Sequence, residues 1–139
     1  MASSCCESRS VCVFAKALLA HAAVCERVER RWLGEREVLE CTSPVARTNC
    51  DTLAALMHER ARFALRLPPP GALLLHTQAL RVQCGGLAGL RAAVKADAPD
   101  VHRMVGQAQE DAGSLTELPW DEIVAAMRAW SPRRRHTPR

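Results

Sequence analysis

The chain has 139 residues, 48% of them hydrophobic and only 4% aromatic, with no tyrosine and a formal net charge of +4. That length supports one core of useful size and excludes two domains of ordinary size. Four of the nineteen basic side chains, Arg133, Arg134, Arg135 and Arg139, fall in the last nine residues, so the remainder is neutral and lacks the basic stripe of a nucleic-acid-binding surface.

The first ten residues place Ser3, Ser4, Ser8 and Ser10 around Cys5 and Cys6, have no periodicity, and read as a flexible leader. Val11, Phe14, Leu18, His21, Cys25, Val28 and Trp32 then recur at spacings of three and four. This is the seam of an amphipathic first helix, ended by Gly34, with Glu26, Arg27, Glu29, Arg30 and Arg31 on its solvated side. A connector at 38–42 leads to Ser43-Pro44, an N-cap hydroxyl followed by proline in the first turn, while Asn49 and Asp51 offer a start one turn later. The second helix carries Leu53, Leu56, Met57, Phe63 and Leu67 and stops at Pro68-Pro69-Pro70-Gly71.

A third helix over 75–94 stacks His76, Leu80, Cys84 and Leu87 on one face. Its Gly85-Gly86 pair costs about 2 kcal/mol relative to alanine, which implies a kink or the close approach of another backbone or a bound group. Asp97-Ala98-Pro99 restarts the chain as a fourth helix with Val101, Met104, Val105 and Ala108, and after a turn at 114–120 a fifth carries Ile123, Val124, Met127 and Trp130. Alanine, leucine and arginine recur throughout, and β-branched and aromatic strand formers are scarce. The predicted fold is therefore all-α: a single domain over 11–130, a bundle of about five helices, three longer and two short, between the leader at 1–10 and a basic tail at 131–139.

Seven cysteines exceed ordinary usage, yet they stop short of the roughly 8–10% that marks a disulfide scaffold. Their odd number leaves one thiol over in any full pairing and points to a reducing compartment, where thiols stay free or bind metal. Four sit in structured contexts: Cys25 on the first seam, Cys41 in the connector, Cys50 near a helix start, and Cys84 before the glycine pair. Four thiolates drawn together from such places hold an iron–sulfur cluster or, as the weaker alternative, zinc. Zinc is disfavoured because no two cysteines show the C-x₂₋₄-C spacing of a zinc knuckle. His21 and His76 share the faces of Cys25 and Cys84 and are the candidate nitrogen ligands. The opposing reading makes Cys25 and Cys84 small core hydrophobes. Cys50, beside a helix N-terminus, is also the candidate for a single activated thiol.

Signatures of other chemistry are missing. His58-Glu59 has no second histidine at position 62, where Arg62 stands; Gly85, Gly86 and Gly89 lack the Lys-Ser/Thr of a phosphate loop; and no Gly-x-Ser-x-Gly occurs. Nothing identifies an enzyme. The apolar run at 11–24 contains Lys16 and His21 and follows Glu7, unlike a secretion signal. No stretch reaches the ~20 apolar residues of a membrane span, so a soluble cytoplasmic protein with no membrane partner is expected. The predicted function is metal binding, an iron–sulfur cluster first, in a redox, sensing or accessory role. The alternative is a metal-free helical adaptor or regulator that docks a protein partner through Trp120 and Trp130, with the arginine tail as the one place where RNA, DNA or an acidic partner would be touched.

Overall fold

The computed structural model describes residues 11–132, so the expectations of a leader over 1–10 and of an arginine tail fall outside it. The first departure from the predicted fold comes at once. In place of one long first helix, the chain forms the short α1 (Ala15–Leu19) and then an antiparallel hairpin, β1 (Val28–Leu33) and β2 (Arg36–Cys41). The protein is mixed α/β, not all-α.

Local chemistry accounts for the change. His21, at φ 62, turns the chain out of α1. Beyond it Val28, Arg30 and Trp32 alternate with Glu29, Arg31 and Leu33, and each set keeps one face of the hairpin. Leu33 pairs with Arg36, leaving a two-residue loop whose first member, Gly34, has φ 65. Such a turn matches the twist of the strands it joins, and glycine adopts that φ without strain. The charges assigned to a solvated helix side instead bridge the strands diagonally: Arg30 reaches Glu37 at 2.7 Å and Arg31 reaches Glu40 at 3.0 Å. A lone two-stranded hairpin is marginal in water. This one is fastened by Leu39, which lies buried in the core, and by the preceding segment, where Val11 bridges Glu40 and the Cys12 N–H donates to the Leu39 carbonyl at 2.8 Å.

The remaining helices build the core. Ser43 caps α2 (Pro44–Ala61) by accepting the Ala46 N–H at 3.2 Å, and Pro44 occupies the first turn. The inward face of α2 presents Ala46, Cys50, Leu53, Met57 and Ala61. After the proline run, α3 (His76–Leu80) passes through a π-helical turn, Arg81–Gly85, directly into α4 (Gly86–Val94), so one helix with an inserted residue spans the predicted stretch. α5 (Val101–Ala112) starts later than Asp97-Ala98-Pro99, at Asp100, whose carboxylate accepts the Arg103 N–H at 3.1 Å. A 3₁₀ turn at Leu115–Glu117 then leads into α6 (Trp120–Ala129).

The glycines of the long helix serve α6. A Cβ placed on Gly85 would stand 2.6 Å from the Met127 Cα, and one on Gly89 would stand 2.9 Å from the Ile123 Cα. The close approach inferred from the sequence is thus another backbone, with Gly86 receiving the Met57 side chain in the same way. Phe14, Leu53, Met57, Leu90, Met104, Ile123 and Met127 are fully buried between these helices. Among the described residues no helix is long and apolar enough to cross a membrane.

Candidate functional site

Three backbone connections gather cysteines from distant parts of the chain. The bond from the Cys12 amide to Leu39 sets Cys12 beside β2, two residues short of Cys41 on the face that Leu39 buries. Cys41 pairs across the hairpin with Val28, whose N–H donates to the Cys25 carbonyl at 3.3 Å. Val24 forms a parallel bridge with Asp100 and accepts the Val101 N–H at 2.8 Å, which fixes the Cys25 loop at the start of α5. The Cys41 thiol donates to the Ser43 carbonyl at 3.3 Å, at the cap of α2, and Cys50 lies further along that helix in a small cleft shared with His102 and Val105. An N-terminal segment, a loop, a strand end and a helix therefore each contribute one thiol to the same region.

Electrostatics report the same grouping. Burial pushes the Cys12 thiol up to about 11; the Phe14 N–H opposes the rise, while Cys25 and Cys41 add to it. Burial pushes Cys50 up to about 12, with Cys25, Cys12, Cys41 and Asp51 acting in the same direction. Burial also raises Cys25, against the amides of Arg27 and His102, which donate toward its sulfur; Asp100 and Cys41 raise it further. Every pair within Cys12, Cys25, Cys41 and Cys50 is thus close enough for one thiolate to disfavour another. Cys84 stands outside the group: desolvation alone raises it, and no other thiol acts on it.

Of the four cysteines predicted as ligands, Cys25, Cys41 and Cys50 come together, while Cys84 is buried in the π-helical turn of the long helix. Cys12 takes the fourth place. Cys12 adjoins the leader, and the signal that points to it is the short β-like Val11-Cys12-Val13 run before α1. All five described cysteines are free thiols, and among the described residues no three His, Cys, Asp or Glu side chains are gathered so as to hold a metal ion. The quartet is a neighbourhood of free thiols, not a closed single-ion cage.

The other candidates change places. His21 is exposed, and His76 is exposed with its Nδ1 3.3 Å from Lys16 Nζ, so neither joins the thiols. Cys50 is the opposite of an activated thiol, since desolvation outweighs any help from the start of α2. Trp120 is buried, with its indole N–H donating to the Leu115 carbonyl at 3.0 Å, and Trp130 packs against the core. The tryptophan presented to solvent is Trp32, 66% exposed near the hairpin tip. Arg60 lies over the Trp120 ring, 5.9 Å from its centroid, and Arg62 over Phe63 at 5.6 Å, so both helix arginines cover aromatic surface. Comparison of the chain with protein-family models, curated proteins and solved structures finds no match in any of the three.

Proposed function

We propose that the chain holds an iron–sulfur cluster through Cys12, Cys25, Cys41 and Cys50, in a redox, sensing or accessory role in the reducing cytoplasm. The observation that carries this reading is the meeting of four thiols from four separate segments beside the hairpin, with Cys84 apart. An iron–sulfur cluster supplies one-electron chemistry and spreads its four thiolates over two or four iron atoms, so it takes them at wider spacing than a single ion does. That spacing suits thiols that sense one another without closing on one point, and it leaves zinc the weaker reading. Backbone donors already face two of the sulfurs: the Phe14 amide at Cys12, and the Arg27 and His102 amides at Cys25. Such N–H groups stabilise thiolates and set the potential of a cluster. Burial holds the protons on Cys12, Cys25 and Cys50 before loading, so binding releases protons and is favoured as pH rises through the neutral range. The adaptor reading is left with partly buried Trp130, since Trp120 is buried.

Anaerobic reconstitution with ferrous iron and sulfide tests the reading. The expected product is a coloured protein holding iron and acid-labile sulfide in equal amounts. Cys12→Ser or Cys50→Ser should remove most of both, and Cys84→Ser should leave them unchanged. A colourless protein, or one that loses its iron only with Cys84→Ser, would overturn the assignment.

A further inference from the structure

The register of the hairpin gives it two different faces. Leu39, Cys41 and Val28 share the side that carries the thiols, while Arg31, Leu33, Arg36, Val38 and Glu40 share the other. That second face forms one wall of an open groove of about 710 Å³, and α1 with the segment before it forms the opposite wall. The volume lies in the usual range of small-molecule sites, about 300–1,000 Å³.

The groove combines an apolar body with an unbalanced positive rim. Val11, Leu19 and Leu33, three of the large hydrophobic side chains that the fold leaves exposed, all line it, together with Val13 and Val38. Gln83 also lines it, and its amide is already committed: Oε1 accepts the Ala17 N–H at 3.1 Å and Nε2 donates to the Val13 carbonyl at 3.4 Å. Consequently that side chain adds little polarity for a ligand to satisfy. Both acidic lining residues are bound to arginines, Glu40 to Arg31 and Glu37 to Arg30. Lys16 on one wall and Arg36 on the other have no carboxylate partner among the described residues. An apolar trough whose walls each carry a cation without a carboxylate partner among the described residues, Lys16 touching only the His76 ring at 3.3 Å, suits a ligand that is greasy along its length and anionic at one end, since burial of the chain and charge pairing then act together.

We propose that this groove binds an amphipathic carboxylate, its hydrocarbon along Val13, Leu19, Leu33 and Val38 and its carboxylate at Lys16 and Arg36. The site does not depend on the cluster reading: Cys12 borders the groove, but its bond to Leu39 sets it on the thiol side of the hairpin.

The test uses the full, reduced, metal-free chain and dodecanoate below its micellar concentration. Saturable binding of one dodecanoate per chain is expected, with no competition from dodecyltrimethylammonium, which has the same chain and the opposite charge. Replacing the two exposed cations, Lys16→Glu with Arg36→Glu, should weaken binding at least tenfold with the far-UV circular dichroism unchanged. Equal binding by the double variant, or equal binding of the cationic amphiphile, would overturn the proposal. Should the double variant fail to fold, the wild-type chain decides by itself: dodecanoate should slow acylation of the Lys16 amine by an active ester, mapped by mass spectrometry, and leave exposed Lys95 unaffected. Equal rates at Lys16 with and without dodecanoate would also overturn it.

Discussion

The Cys50 thiol sits on the inward face of α2, where losing water is the main cause of its rise to about 12, and the nearby Cys25, Cys12, Cys41 and Asp51 add to it. The consequence for stability has a definite sign. The unfolded chain ionises this thiol near the ordinary cysteine value while the folded chain keeps it protonated, so the stabilisation is fully present below that value and is lost as pH climbs toward 12. Chemical denaturation of the metal-free protein should therefore show stability falling between about pH 9 and pH 12, by at most about 1.4 kcal/mol per pH unit for this one thiol. Cys50→Ala should flatten that slope. A slope unchanged by Cys50→Ala would show that other groups cause the loss. The same desolvation explains why the site was only partly legible in the sequence. Cys25, Cys41 and Cys50 have neighbours that announce a loop, a connector and a helix start, and the structure brings these three together. Cys84 looked equivalent because burial on a helix face and direction toward a shared site leave the same periodic trace. Cys12 left only the short Val11-Cys12-Val13 run, since its place depends on pairing with Leu39 and Glu40, far along the chain.

Among the elements, the contact of α4 with α6 is set by glycine, and the two kinds of helix glycine in this chain should respond oppositely to substitution. Gly85→Ala would drive a Cβ to 2.6 Å from the Met127 Cα, against backbone that cannot swing aside. A loss of about 2–3 kcal/mol is expected from overpacking of this kind. Gly106 lies inside α5 with nothing within 4 Å of an added Cβ, so Gly106→Ala should raise stability by about 0.5–1 kcal/mol through the lower entropy of the unfolded chain. Urea denaturation of both variants checks the pair; a Gly85→Ala protein as stable as wild type would mean that α6 can retreat. Such packing is invisible to periodicity, which offered a kink, a backbone or a ligand as equal explanations. Helix starts were more legible, because Ser43-Pro44 acts locally, whereas α2 ends at Ala61, before the 68–71 proline-glycine run predicted to stop it. The hairpin was not. Val28 and Trp32 stand four apart, a spacing that satisfies a helix seam and one face of a strand alike, and Gly34 ends the first while turning the second. Tertiary contact through Leu39 decides between them, and that contact comes from outside any local window.

At the scale of the whole molecule, the thiol quartet joins parts that are otherwise held unequally. α4, α6 and α2 pack through fully buried side chains such as Leu90, Ile123 and Met57, whereas β1 is exposed along nearly all its length and keeps its place through β2 and a few bonds around Cys12 and Arg27. A ligand bound at Cys12, Cys25, Cys41 and Cys50 would tie the N-terminal segment and the hairpin to α2. Because only the folded chain presents these sulfurs together, binding adds stability by mass action, about 2.7 kcal/mol when the free ligand is at a hundred times its dissociation constant. For a chain of this size that corresponds to a rise in Tm of roughly 8 °C. The gain should be unequal across the fold. Hydrogen exchange should slow most at amides of 11–13 and 25–41, where Leu39 is the one buried side chain, and should change little at the α4–α6 contact, which packs through fully buried side chains. The Cys50→Ser protein should show neither effect under reconstitution conditions. A Tm that rises equally in wild type and Cys50→Ser would mean that iron and sulfide act elsewhere on the chain, and slowed exchange confined to α4 and α6 would separate the ligand from the hairpin altogether.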